Sequence, residues 1–110
     1  MYEPTACQII GRWVSKVSIE NIPDNVLRSA MQSWVDVLGC ILGGATIDAS
    51  KKLRTLILSQ HGRGDCWVAG CKNTCSSIGA AMANGTSAHA LDFDDTSYAG
   101  VVHASATVAA

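Results

Sequence analysis

The last third of this 110-residue chain has no lysine and no arginine. All eight cations lie between residues 12 and 72, whereas residues 73–110 carry Asp92, Asp94 and Asp95 together with His89 and His103. A packed segment with clustered acids and no local counter-charge needs an external partner: another part of a longer chain, a second subunit, a cation or a substrate group. Long apolar runs are also lacking, so no stretch approaches the ~20 residues needed to span a bilayer. The opening residues (Met1, Tyr2, Glu3, Pro4) do not resemble a signal peptide. A formal net charge of −1 leaves no basic footprint for nucleic acid. The expectation is a soluble chain without membrane or nucleic-acid partners, cytoplasmic, with the mitochondrial matrix as the alternative compartment.

Phosphate-binding motifs are missing too. Neither G-x-x-x-x-G-K-[ST] nor G-x-G-x-x-G occurs, which disfavours nucleotide chemistry, and no serine lies in a G-x-S-x-G elbow. The cysteines (Cys7, Cys40, Cys66, Cys71, Cys75) are odd in number and include no C-x-x-C pair. That spacing suits reduced structural thiols, not a disulfide framework, a zinc finger or an iron–sulfur site.

What is present is helical. The chain is 48% hydrophobic and 15% charged, a globular composition for one domain or a piece of one. Ala6, Ile9, Ile10, Trp13, Val14 and Val17 form a helical stripe with Thr5 as N-cap. After Ile22-Pro23, with Asp24 as a cap, the apolar positions Val26, Leu27, Ala30, Met31, Trp34, Val35, Leu38, Ile41 and Leu42 trace a second, long helix that stops at Gly43-Gly44. A third helix is expected over residues 48–59, with Leu53, Leu56 and Ile57 inward. Gly62-Arg63-Gly64 is expected to be a loop, and residues 66–69 are expected to be one short strand. A fourth helix starts at Ser76 or Ser77 and carries small residues that let another helix approach closely. A fifth begins near Ser105. The fold class is therefore all-α: four helices, the start of a fifth, and at most one strand. The unclosed last helix suggests a fragment, since a helix that short is unstable alone.

The polar constellation is His89, Asp92, Asp94, Asp95, Thr96 and His103. With the fourth helix continued through Thr96, His89, Asp92 and Thr96 share one face, with Asp95 beside them. Three carboxylates near a helix C-terminus oppose its dipole, at about 0.3–1 kcal/mol each, a cost that sequences often accept for a site. A solvated acidic loop is the plainer alternative, and carboxylates at this spacing also suit Mg²⁺.

The string Ala80-Ala-Met-Ala-Asn-Gly-Thr-Ser-Ala-His-Ala-Leu-Asp-Phe-Asp-Asp-Thr96, followed by His103-Ala-Ser105, resembles the MmgE/PrpD family. So do Ile22-Pro-Asp-Asn-Val-Leu-Arg-Ser-Ala30 and Asp36-Val-Leu-Gly-Cys-Ile-Leu-Gly-Gly-Ala45, and the resemblance runs from about Trp13 to the end. The family includes 2-methylcitrate dehydratase, cis-aconitate decarboxylase and iminodisuccinate epimerase. The resemblance implies that residues 1–110 are the N-terminal portion of a large helical domain whose lid domain lies elsewhere. It further implies a lyase or isomerase of small di- or tricarboxylates, without cofactor or metal, commonly homodimeric. Its pattern puts Asp92, Thr96 and His103 in the active-site cleft. His103 is then the proton-transfer residue, Asp92 orients it or a water, and Thr96 binds a substrate carboxylate. Asp95 is a further substrate-binding candidate, although Asp94 and Asp95 are better suited to holding the turn through backbone N–H groups. The family often has Pro where this chain has Ala104, and its later His and Lys residues lie beyond residue 110. A truncated chain that acts only by pairing its helices with a partner is the alternative function.

Overall fold

The computed structural model describes residues 3–62 and 64–109; Met1, Tyr2, Arg63 of the expected glycine loop and Ala110 of the last helix lie outside the described residues. The chain forms two compact units, Met1–Ala30 and Met31–Ala110. Five α-helices and one 3-10 turn account for the regular structure, with no strand among the described residues.

In the first unit, α1 (Ala6–Val14) opens with a reciprocal cap. Thr5 accepts the Gln8 N–H, and the Gln8 side chain accepts the Thr5 N–H at 3.0 Å, so two otherwise orphaned donors are satisfied. Ile9, Ile10, Trp13 and Val14 form the expected stripe, yet all four are exposed. A 3-10 turn (Ile19–Asn21) leads to Pro23, whose carbonyl accepts from Val26 and Leu27 as the next helix starts. Asp24 is the first helical residue of that helix, where its charge complements the dipole, and not its cap.

That helix, α2 (Asp24–Gly44), buries Val37, Cys40, Ile41 and Gly44. This i, i+3, i+4, i+7 stripe is narrower than the apolar pattern of the sequence, since Met31, Trp34, Val35, Leu38 and Leu42 are exposed. α3 (Asp48–Gln60) and α4 (Ser77–His89) follow the expected bounds closely. Ile57 is buried and Leu53 is partly buried, but Leu56 is half exposed, one position off the face that meets α4. α5 (Ala104–Ala109) closes the second unit. No single helix among the described residues is long and apolar enough to cross a membrane.

Two buried clusters hold the second unit together. Val37, Ile41, Ala45, Ala69, Ala88 and Ala106 form one, and Ile57, Val68, Cys75, Ala80 and Ala83 form the other. Their residues are small because the backbones are close. A Cβ on Gly79 would stand 2.9 Å from Ile57 and from His61, so α3 and α4 can pack at this distance only with glycine there.

The expected strand over residues 66–69 is absent; the only pairing there is an isolated bridge between Cys66 and Cys75. The side chain of Asn84 accounts for it. Its amide donates to the Trp67 carbonyl and its oxygen accepts the Ala69 N–H, both at 3.0 Å, so the groups a neighbouring strand would use are already taken. Arg54 pins the same loop, donating to the carbonyls of Ala45 and Ala69 at 3.1 and 3.0 Å. All five cysteines are free thiols.

Candidate active site

α4 ends at His89 and does not continue through Thr96, so the single helical face shared by His89, Asp92 and Thr96 does not form. The Ala90 N–H turns back to Ser87, the Asp92 N–H bonds the His89 carbonyl, and Asp92 then adopts a left-handed conformation (φ 54°). Aspartate tolerates that region better than most residues, and it stops an α-helix. Residues 97–102 form a short reversal in which Ser97 and Val102 exchange both backbone hydrogen bonds. Val101 inside it is also left-handed (φ 49°), an unusual state for a β-branched side chain. The two reversals carry His103 back to His89, and the imidazoles meet edge to face with ring centroids 4.7 Å apart.

Both rings reach Asp94, whose side chain is 0% exposed. Its carboxylate is 3.0 Å from His89 Nδ1 and 3.4 Å from His103 Nδ1. The Asp94 backbone carbonyl is a further 3.3 Å neighbour of His103 Nδ1. A buried carboxylate needs such partners, because an unpaired charge in the interior is strongly disfavoured.

The other predicted site residues divide. Asp92 is 78% exposed, with a carboxylate oxygen 3.7 Å from His103 Nε2. Asp95 faces away, accepting the Ser105 N–H at 3.0 Å and so capping α5. Thr96 is exposed and lies outside the cavity beside the histidines. That cavity measures about 600 Å³ and is lined by His89, Asp94 and His103, with Met82, Thr86 and Thr107 among its other walls. Its size falls in the range of small-molecule sites. The α4 contributors Met82, Gly85, Thr86 and His89 repeat at helical spacing, a signal present in the sequence itself.

His89, Asp92, Asp94 and His103 each offer one donor atom, all within 4.8 Å of one another. A divalent cation is the inorganic ligand this corner could hold, and the mixed imidazole and carboxylate donors suit zinc better than magnesium. Burial raises the thiol of Cys40 on α2, and the charges of Asp36, Asp94 and Asp95 raise it further. The acidic corner is thus felt by the buried stripe of α2.

The profile of the MmgE/PrpD N-terminal domain matches residues 8–110, and the chain belongs to this family. It is 28% identical over 99 residues to the cis-aconitate decarboxylase of Aspergillus terreus, and equally to that of Aspergillus terreus strain NIH 2624 / FGSC A1156. The alignment takes in 90% of this chain and 20% of each relative, so the chain spans about a fifth of the length of the curated relatives it matches. No solved structure matches it significantly.

Proposed function

We propose that this domain supplies the proton-transfer corner of a cofactor-independent lyase acting on a small di- or tricarboxylate, of the cis-aconitate decarboxylase type. The observation that carries the reading is His103. Its ring lines the cavity, its Nδ1 is occupied by Asp94, and its Nε2 makes no hydrogen bond among the described residues, with the Asp92 carboxylate 3.7 Å away. An imidazole anchored at one nitrogen and free at the other is built to move a proton.

In a decarboxylation the C–C bond to the leaving carboxylate breaks and CO₂ departs. The electron pair enters the unsaturated remainder, and a proton from His103 closes the new C–H bond. Asp92 stabilises the imidazolium that holds that proton beforehand. Thr96 remains a substrate-carboxylate partner only if the loop after Asp94 moves it toward the cavity. A polycarboxylate also needs positive charge, and within residues 73–110 only the two imidazoles can supply it. The remaining cations must come from outside this segment, from the same protein or a homodimer partner.

The test is CO₂ release from cis-aconitate by the whole protein. His103→Gln is expected to lower kcat by about 10²- to 10⁴-fold with an unchanged circular dichroism spectrum. Near-normal turnover in that variant would remove the role assigned to His103.

A second reading is favoured by the α2 surface, where Met31, Trp34, Val35, Leu38 and Leu42 are 42–72% exposed. Apolar patches of this kind mark interaction faces. Under it the chain acts without catalysis, by pairing this face with a partner helix. A well-folded monomer in sedimentation of the purified chain would argue against it.

A further inference from the structure

We propose that Asp94 is the positioning residue of this site: it holds both His89 and His103 as Nδ1–H tautomers and makes His89 a second proton-transfer group at the same cavity. The family resemblance implies the orienting role for Asp92 and a turn-holding role for Asp94. Asp92, however, is mostly in solvent, while the Asp94 carboxylate is fully enclosed.

The tautomers follow from donor and acceptor chemistry. An ionised carboxylate only accepts hydrogen bonds, and so does a backbone carbonyl. His89 Nδ1 lies 3.0 and 3.3 Å from the two Asp94 oxygens, so the ring must donate there. His103 Nδ1 lies 3.4 Å from that carboxylate and 3.3 Å from the Asp94 carbonyl, so it must donate as well. Each ring then carries its proton on Nδ1, and both Nε2 atoms keep a free lone pair. A single residue, through its buried carboxylate at His89 and its backbone carbonyl at His103, thereby prepares two bases, where the family resemblance pointed to one.

The surrounding fold serves that arrangement. His89 and His103 are fourteen residues apart and approach only because Asp92 and Val101 both accept left-handed conformations. Such states are unfavourable for residues other than glycine and persist where the surrounding structure over-determines them. His89 is the last residue of α4, while His103 immediately precedes α5. Two rings held from two helices on one residue can share the one proton delivery that the decarboxylation needs, His103 protonating the new carbon centre and the half-exposed His89 taking up the replacement proton from solvent. This catalytic half of the inference rests on the proposed function; the tautomer half does not.

The test has two arms. The first is long-range ¹H–¹⁵N correlation on the labelled chain at about pH 9, well above the ordinary imidazole range. Both His89 and His103 are expected as Nδ1–H. Asp94→Ala removes both side-chain acceptors of His89 and leaves the backbone carbonyl that faces His103, so His89 is expected to leave the Nδ1–H form while His103 keeps it. An Nε2–H signal for His89 in the parent chain would overturn the proposal without any variant being needed. An Nδ1–H signal kept by His89 in a folded Asp94→Ala chain would overturn the role of Asp94.

The second arm is turnover of cis-aconitate by the whole protein carrying His89→Gln. The expected result is a fall of about a hundredfold in kcat with little change in KM. Unchanged kcat beside an active parent would remove the second proton-transfer group and leave His89 structural. A parent that does not turn over cis-aconitate would instead count against the proposed function, and the tautomer arm would still decide the role of Asp94.

Discussion

Gly44 and Ser87 meet backbone to backbone: a Cβ placed on Gly44 would fall within the carbonyl group of Ser87. The end of α2 therefore lies directly against α4, two residues before His89. The absent side chain sets how closely the helix bearing the site can be held.

Gly44→Ala is expected to destabilise the chain by about 3 kcal/mol, because the new methyl meets rigid backbone and not a flexible side-chain tip. Gly39 provides the control on the same helix, since a Cβ there meets nothing within 4 Å. Gly39→Ala should stabilise by about 0.5–1 kcal/mol through helix propensity. Urea denaturation of both variants checks the opposite signs.

Asn84→Ala should cost about 1–3 kcal/mol, since it leaves the buried Ala69 N–H without an acceptor and the Trp67 carbonyl without its donor. Hydrogen exchange should show Ala69 exchanging faster by a larger factor than amides in α3. Equal acceleration everywhere would mean that the loop is held by Arg54 and packing alone.

Alkaline solution should weaken the fold through Cys75. Burial raises its thiol above the ordinary value of 9.0, with Cys66 and Cys71 adding to the shift. Between that value and the raised one, the folded state keeps a proton that the unfolded state has lost. Its contribution is therefore complete below about pH 9 and falls as pH rises further. Urea midpoints measured from pH 7 to pH 10.5 should decline less steeply in Cys75→Ala than in the parent chain.

Asp95→Ala should loosen α5 without disturbing α4. It removes the acceptor for the Ser105 N–H, and lost caps cost about 0.5–2 kcal/mol. A six-residue helix has no propagation to fall back on. Faster amide exchange confined to residues 104–109 is the expected result, with Asp95→Asn retaining most of the protection.

The helices were legible because their signals are local. Thr5 before α1, Ser76 before α4, and the Gly43-Gly44 stop each act within one or two turns, and their structural counterparts lie within a residue or two of expectation. The extent of burial was less legible. The same apolar spacing marks Val35 and Ile41, yet only Ile41 is covered, because burial depends on what arrives from elsewhere in the chain. The expected strand failed for a related reason: Asn84, fifteen residues from Ala69, takes the groups a partner strand would have used.

The sequence by itself determined the all-α class, the helix starts, the family and the segment that carries His89, the aspartates and His103. Only the tertiary structure decided which aspartate is enclosed, which histidines touch, and that Asp95 and Thr96 lie outside the cavity lining. Helical periodicity specifies neighbours three and four residues apart, and it ends with α4 at His89. Beyond that point two left-handed residues and a backbone reversal set the path of the chain. The partners they bring together are chosen by long-range packing that no local pattern records.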